Sequence, residues 1–362
     1  MNEFLKGCIP CWKTGCIYNE TIFCMNSENE ISGKLQYAPQ EILSVTDYTL
    51  KREYRENTDY FVSGRTISLS ADSRIPWVDA DIVRGNVPAP YRKRDEMADE
   101  KIDVVQFAPD VIWTESALLY GNQICVSYRV KPEDIRAELF GAYGKIAPRF
   151  TEKVREGQAV KISVLGDSVA EGCSASGHFK HEPYQPDWVK LFTLALGEIA
   201  GVDACTENFA VGGKDAQWGS GREQIENCAR QKPDLLFLHF GINDCGRFDR
   251  DAFQKNIATI YTGVKAISPA TEVVFIKPAM ANPNCYSVQR FIEYWTAMDA
   301  LALENRDFAA INMFDWSVAL IKDKKYMDIT GNGVNHPNDF VSRLYVMTLI
   351  HAFIPETCYL NL

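Results

Sequence analysis

The stretch KISVLGDSVAEG, residues 161–172, is an apolar run that stops at Gly-Asp-Ser and continues through small and acidic residues. Its apolar part belongs to VKISVLGD at 160–167, and an apolar run of this length predicts a buried strand. Ser168 then stands where the strand ends and a loop begins. A hydroxyl at the end of a buried strand is a candidate catalytic group, and the surrounding segments indicate whether Ser168 has such a role.

Outward from this stretch, apolar runs alternate with longer amphipathic segments. The apolar runs lie at 160–167, 205–211, 234–243, 272–278 and 308–314, and helix-like segments lie near 187–200, 249–266, 287–305 and 339–353. Strands that alternate with helices predict a parallel sheet covered on both faces, because each crossover helix shields the strands from water. We therefore expect a doubly wound α/β domain.

The first 150 residues have a different pattern. Their segments are short, rich in β-branched and aromatic residues, and interrupted by turn residues, which predicts an antiparallel β domain of the sandwich or jelly-roll kind. A chain of 362 residues is also long enough for two domains. We expect a β-rich accessory domain at 1–150 and a catalytic domain at 151–362.

Composition excludes several classes of partner. The net charge of −10 argues against nucleic acid and anionic membranes, which bind through clustered Lys and Arg. The sequence contains no run of about 18 apolar residues, which is the length that predicts a membrane span, and its first residues lack the pattern of a signal peptide. The eleven cysteines are odd in number and scattered, which predicts reduced thiols and a cytoplasmic protein. The sequence leaves the oligomeric state open.

Four cysteines near the start, Cys8, Cys11, Cys16 and Cys24, raise the question of a zinc site. Only Cys8 and Cys11 form the short clip that structural zinc sites use in pairs. The segment around Cys16 and Cys24 is predicted to be a strand whose cysteines pack as small apolar side chains. We expect no metal and no other cofactor.

Four strand ends or loops carry polar groups suited to acyl transfer. In a parallel sheet the carboxyl ends of the strands share one edge, which here would collect Ser168, Gly213 and Asn243, with His336 just before the last helix. Histidine can accept the proton of a serine hydroxyl near neutral pH. The backbone N–H groups of Ser168 and Gly213 and the Asn243 amide can donate to an oxyanion.

These blocks resemble the SGNH, or GDSL-type, hydrolase superfamily. The blocks are GDSVAEG at 166–172, NFAVGG at 208–213, GIND at 241–244 and VNHPND at 334–339, in order over roughly 160–355. The resemblance implies a flavodoxin-like three-layer α/β/α fold and a carboxylic ester hydrolase. It assigns Ser168 as nucleophile, His336 as base, and Gly213 and Asn243 as oxyanion donors. The α/β-hydrolase motif G-x-S-x-G is not met here.

One departure from the family pattern concerns the support of the histidine. The aspartate usual three residues before that histidine is Gly333 in this chain. Another acceptor must then orient the imidazole. The candidates are Asn332, Asp328, Asp339 or a backbone carbonyl, and we favour a Ser-His dyad supported by a backbone carbonyl.

The substrate is indicated only by the surroundings of the blocks. Tyr184, Trp188 and Trp218 follow the serine and glycine blocks and are expected to stack on sugar rings, although Trp188 at a helix start suits a core position equally well. A β-rich domain before the catalytic one resembles the two-domain carbohydrate O-acetyl esterases of the superfamily. We expect removal of acetyl or other short acyl groups from a sugar or oligosaccharide through an acyl-serine. The alternatives are a non-catalytic carbohydrate-binding protein, an acyltransferase and a lipase-like esterase, and neither the sugar nor the hydroxyl is specified.

Overall fold

The structure is a computed structural model that describes residues 2–27, 30–86, 105–141, 144 and 146–360. The strands are β1 (Cys16–Phe23), β2 (Met25–Ser27), β3 (Glu30–Lys34), β4 (Glu41–Asp47), β5 (Tyr60–Ser63), β6 (Thr66–Leu69), β7 (Val105–Ala108), β8 (Val111–Trp113), β9 (Gln123–Arg129), β10 (Val160–Gly166), β11 (Ala204–Asn208), β12 (Leu235–His239), β13 (Glu272–Lys277) and β14 (Phe308–Asn312). The helices are α1 (Cys11–Thr14), α2 (Ala80–Val83), α3 (Ala117–Tyr120), α4 (Pro148–Arg155), α5 (Ser168–Glu171), α6 (Trp188–Glu198), α7 (Ala216–Gly219), α8 (Arg222–Arg230), α9 (Arg250–Ile267), α10 (Val288–Glu304), α11 (Phe314–Asp323) and α12 (Asp339–Phe353). Short 3₁₀ helices lie at Glu3–Cys8, Pro132–Asp134, Ala137–Phe140, Tyr326–Asp328 and Glu356–Cys358.

The second half of the chain forms a five-stranded parallel sheet in the order β11-β10-β12-β13-β14. Every residue of β12 and β13 is buried, as expected for strands covered by helices on both faces. The doubly wound α/β prediction is confirmed. The chain changes direction of winding between β10 and β12, and such a switch point opens a crevice at the carboxyl ends of the strands.

Helix α12 is the most buried helix of the domain. All of its residues except Asp339 and His351 are buried. It packs against α6 and α4, and also against the N-terminal 3₁₀ helix and β1. A helix that is buried on nearly every side needs cover on every side, and the N-terminal part of the chain supplies some of that cover for the C-terminal part.

The N-terminal part contains antiparallel sheets, as predicted. Within the described residues these sheets have the orders β1-β9-β4, β2-β3-β6-β5 and β7-β8. The expected domain boundary at 150/151 falls inside α4, which packs on β10 and α12. A buried ion pair also joins the two parts: Lys324 Nζ lies 2.6 Å from Glu20 Oε1, and both side chains are 0% exposed.

Two further features concern the whole described chain. All eleven cysteines are free thiols. Burial raises the pKa of Cys8, Cys11 and Cys24 to about 12, so these three behave as packed apolar groups. Across the described ranges, no helix combines the length and the hydropathy that crossing a bilayer demands.

Candidate active site

Ser168 begins α5 directly after β10, at the switch point of the sheet. A Cβ at Gly166 would lie 2.6 Å from the carbonyl oxygen of His239, so only glycine lets β10 approach β12 this closely. Asp167 caps α5 by accepting a hydrogen bond from Val169 N at 3.1 Å. In the Gly-Asp-Ser triplet, Gly166 therefore allows the close approach of the strands and Asp167 caps α5. The side chain of Ser168 points toward the loop that carries His336.

Asp167 also has a buried partner on the neighbouring strand. Its Oδ1 lies 3.0 Å from Nδ1 of His239, and both side chains are almost completely inaccessible. His239 Nε2 lies 3.4 Å from the Tyr345 hydroxyl on α12. This histidine links β10, β12 and α12 inside the core and takes no part in the contact between His336 and the serine.

His336 is held by a tight turn at the start of α12. The side-chain oxygen of Asn332 accepts hydrogen bonds from the backbone N–H groups of Val334, Asn335 and His336 at 2.9–3.0 Å. Thr330 donates from its hydroxyl to the carbonyl oxygen of His336 at 3.0 Å. The turn directs the imidazole toward α5, where its Nε2 lies 2.9 Å from Ser168 Oγ.

The other imidazole nitrogen has partners that the sequence did not suggest. Within the described part of the chain, Nδ1 of His336 has Glu115 Oε1 at 2.8 Å and Ser174 Oγ at 3.3 Å. Glu115 lies between β8 and α3, in the N-terminal part of the chain. The expectation of a backbone carbonyl at this nitrogen is therefore wrong.

The other candidate supports are engaged elsewhere. Asn332 binds backbone N–H groups of its own turn. Asp328 accepts from Phe23 N at 2.7 Å, and Asp339 accepts from Ser176 N at 2.9 Å. Burial raises the pKa of both carboxyl groups, and these backbone donors act against that rise.

The loops of Gly213 and Asn243 meet beside the serine. Gly213 has a φ of +74°, and a side chain there would enter open space, so this glycine lies exposed on its loop. A Cβ at the preceding Gly212 would lie 3.6 Å from Ser168 Cβ. Asn243 donates one amide N–H to the carbonyl oxygen of Lys214 at 2.8 Å, which connects the asparagine block to the glycine block.

Asp244, the last residue of the GIND block, stabilises the connection between these two loops. Its two carboxylate oxygens accept from Ala216 N at 2.9 Å and from Gly241 N at 3.0 Å. Burial is the main cause that raises the pKa of Asp244 to about 7. The carboxyl group thus bridges the two loops that hold Gly213 and Asn243.

The three aromatic residues expected to face the substrate divide into two groups. Trp188 is 1% exposed, donates from Nε1 to the carbonyl oxygen of Val169 at 2.9 Å, and packs on Phe237. It stabilises the core beneath α5, so its predicted contact with substrate is wrong. Tyr184 is 57% exposed, and Trp218 is half-buried with Lys214 Nζ 5.9 Å from its ring centroid. Both remain accessible.

Sequence reasoning missed Glu115. It stands in VIWTESALLY at 111–120, which has the pattern of a short strand and carries no catalytic motif. The one available signal was negative, namely the glycine at 333 where the family has a carboxylate. Within the described residues, no three His, Cys, Asp or Glu side chains are grouped as metal ligands.

The C-terminal part of the chain matches a known protein family. The model of the GDSL-like Lipase/Acylhydrolase family matches residues 164–344, which is half of the chain and includes Ser168 and His336. A comparison with curated proteins finds no significant match.

Several solved structures are similar to this chain. A two-domain esterase active on acetylated mannans is 16% identical, with a TM-score of 0.45, over 57% of this chain and 52% of the other. This chain therefore spans about half the length of that esterase. A catalytic mutant of an acetylxylan esterase from Geobacillus stearothermophilus is 14% identical, with a TM-score of 0.46, over 56% and 97% of the two chains. A lipolytic protein of the G-D-S-L family from Veillonella parvula is 18% identical, with a TM-score of 0.44, over 54% and 98%. By the extent of the family match, the chain belongs to the GDSL-like lipase/acylhydrolase family.

Proposed function

We propose that this protein is a serine esterase that removes acetyl or other short acyl groups from a sugar or oligosaccharide. The observation that carries the proposal is the distance of 2.9 Å between His336 Nε2 and Ser168 Oγ at the switch point of the sheet. A hydroxyl within hydrogen-bond reach of an imidazole is the arrangement that nucleophilic acyl transfer requires.

In the first step Ser168 Oγ attacks the acyl carbonyl carbon while His336 Nε2 accepts the hydroxyl proton. The carbonyl oxygen becomes an oxyanion, which accepts hydrogen bonds from the N–H groups of Ser168 and Gly213 and from the Asn243 amide. Asn243 has two amide N–H groups, and the bond to Lys214 uses one of them. When the tetrahedral intermediate collapses, His336 returns the proton to the departing sugar oxygen.

In the second step water hydrolyses the acyl-serine. His336 Nε2 accepts a proton from the water molecule, whose oxygen attacks the acyl carbon, and the same donors stabilise the second oxyanion. The intermediate then releases the carboxylic acid, and the proton on His336 returns to Ser168 Oγ. Apart from the substrate and this water molecule, both steps use the side chains and backbone N–H groups described above.

The choice of a carbohydrate ester rests on two accessible aromatic side chains. Tyr184 follows the serine block and is exposed, and Trp218 follows the glycine block and is half-buried. Aromatic rings provide large apolar contact area with a defined face, which suits the flat C–H face of a sugar ring. The net charge of −10 is consistent with an uncharged acylated sugar and not with a polyanion. All eleven cysteines are free, which supports our prediction of a cytoplasmic site of action.

The test is acyl release by the purified full-length protein, from an aryl acetate and from a panel of acetylated oligosaccharides. We expect Ser168→Ala to lose at least about 1,000-fold in kcat, because the nucleophile is absent. Ser70→Ala, which removes a serine hydroxyl from the N-terminal part, serves as the matched control and keeps wild-type activity. Equal rates for wild type and Ser168→Ala contradict the proposal and favour a carbohydrate-binding protein.

The same assay separates the acyltransferase alternative. With an acceptor sugar added, an acyltransferase forms an acylated sugar and releases little free acid, whereas an esterase releases acid in proportion to the ester consumed. Product analysis by mass spectrometry distinguishes the two. A predominance of acylated acceptor would replace the hydrolase assignment by a transferase one.

A further inference from the structure

We propose that Glu115, from the N-terminal part of the chain, is the positioning residue of His336, so that the two parts together complete the active site. This inference rests on the proposed function, since it concerns the same Ser168–His336 pair. Its first support is the contact itself: Glu115 Oε1 lies 2.8 Å from Nδ1 of His336, on the opposite side of the ring from Ser168.

The second support is the space around Gly333, where the family places its aspartate. Gly333 has a φ of +84°, and a Cβ there would lie 2.0 Å from the carbonyl oxygen of Ile112 on β8. No side chain fits at that distance, because even close non-bonded contacts of a Cβ stay above 3 Å. A carboxylate at 333 is therefore excluded as long as β8 lies where it does.

The third support is that the strand which excludes the aspartate also supplies the replacement. Thr114, directly after β8, donates from its backbone N–H to the carbonyl oxygen of Asn332 at 3.1 Å. This bond holds the start of the β8–α3 connection against the histidine turn. Glu115 is the next residue, so its side chain reaches the imidazole of His336 from the N-terminal part of the chain. One docked segment thus accounts for both the glycine at 333 and the carboxylate at His336.

The fourth support is the rigidity of the contact between the two parts below the histidine turn. Gln123 on β9 donates to the carbonyl oxygens of Met327 and Thr330 at 2.7 and 2.9 Å. Asn338, which caps α12, donates to the side-chain oxygens of Thr21 and Gln123 at 2.9 and 3.2 Å. All these groups are buried, so breaking the contact would leave polar groups without partners. Glu115 is therefore presented to His336 at a defined distance.

The chemical role follows from charge. During catalysis His336 becomes an imidazolium ion, and an acceptor at Nδ1 selects the tautomer in which Nε2 is free to take the serine proton. Glu115 is partly buried, with its side chain 29% exposed, whereas that of His336 is 11% exposed. A carboxylate in this setting stabilises the imidazolium better than the neutral hydroxyl of Ser174, which lies 3.3 Å away.

The test compares Glu115 variants of the full-length chain with an aryl acetate as substrate. We expect Glu115→Gln to lower kcat by up to about 10,000-fold, the loss seen when a triad aspartate becomes asparagine, and to change KM by no more than about twofold. We expect Glu115→Asp to lose less than Glu115→Gln, since it keeps the charge. The matched control is Glu133→Gln, which neutralises an exposed glutamate of the same part of the chain and keeps wild-type kinetics.

A second measurement keeps the inference testable if local packing changes. Glu115→Ala leaves space beside Nδ1, and added formate is expected to raise its kcat at least about tenfold by acting as a small carboxylate. A purely structural glutamate would show no formate rescue. Two outcomes overturn the assignment of Glu115, provided that Ser168→Ala stays inactive. The first is a wild-type kcat in Glu115→Gln. The second is a loss of activity in Ser174→Ala together with retained activity in Glu115→Gln. Full activity in Ser168→Ala instead overturns the proposed function and this inference with it.

Discussion

Replacing Gly333 by alanine tests whether β8 really closes the family's usual carboxylate position. Two effects add in this variant. Alanine must adopt a φ of +84°, and its Cβ must find room 2.0 Å from the carbonyl oxygen of Ile112. Gly157→Ala isolates the first effect, because Gly157 has a φ of +68° and no atom lies within 4 Å of the position that its Cβ would take.

The two variants should differ clearly in stability. A non-glycine residue in the left-handed region costs about 1 kcal/mol, and this is the whole effect expected for Gly157→Ala. In Gly333→Ala the backbones must also separate by more than about 1 Å, an overpacking that costs about 1–3 kcal/mol. That movement weakens two bonds, Thr114 N to Asn332 O at 3.1 Å and Asn282 Nδ2 to Gly333 O at 2.9 Å, each worth about 1 kcal/mol. We expect a loss of about 3–5 kcal/mol for Gly333→Ala.

The assay is urea unfolding of both variants and wild type, with the free energy of unfolding extrapolated to water. Esterase activity measured in the absence of urea adds a second readout, because Gly333 lies in the turn that carries His336. A Gly333→Ala variant within about 0.5 kcal/mol of Gly157→Ala would refute the close approach of β8. The explanation for the missing aspartate would then fail as well.

Three further predictions concern buried groups and the cleft. Lys324→Met leaves the carboxylate of Glu20 buried without its cation and should cost about 3–5 kcal/mol in urea unfolding, whereas adding Glu20→Gln should recover part of the loss. Asp244 has its pKa raised to about 7 in the folded protein. Its stabilising contribution is therefore complete below about pH 4 and is lost as the pH rises through 7. The difference in free energy of unfolding between wild type and Asp244→Asn should shrink from pH 5 to pH 8, by up to about 1 kcal/mol per pH unit. Trp188→Ala should lower stability by about 3–5 kcal/mol. Trp218→Ala should raise KM for an acetylated oligosaccharide and, because this ring is only half-buried, should lower stability by less than Trp188→Ala does. A larger loss of stability in Trp218→Ala than in Trp188→Ala would contradict the burial described above.

Much of the C-terminal part could be predicted from local sequence. Apolar runs of seven to ten residues separated by amphipathic segments predict a parallel sheet, because burial on both faces requires continuous apolar strands. The order of the serine, glycine, asparagine and histidine blocks then puts each block at a strand end or helix start. Ser168 and His336 lie 2.9 Å apart as the family resemblance implies, and the catalytic roles of the four residues remain predictions for the assays above.

Other features could not be predicted because they depend on how distant segments dock. Trp188 follows the serine block, as a cleft residue would, but its ring packs on Phe237 of β12 and its indole N–H is satisfied by Val169. Sequence distance from a motif does not specify which side of a helix faces the sheet. The carboxylate at His336 also depends on how distant segments dock, since Glu115 is far in sequence from all four motif blocks.

The sequence by itself determined the layered α/β architecture, the antiparallel nature of the N-terminal part and the resemblance to the family, because periodicity and short motifs are properties of neighbouring residues. Only the tertiary structure decided that β8 lies against the histidine turn. That contact leaves no room for a side chain at Gly333 and brings Glu115 to Nδ1 of His336. Its physical origin is the burial of α12 and the polar groups around Gln123 and Asn338, which fit together only when both parts of the chain are folded.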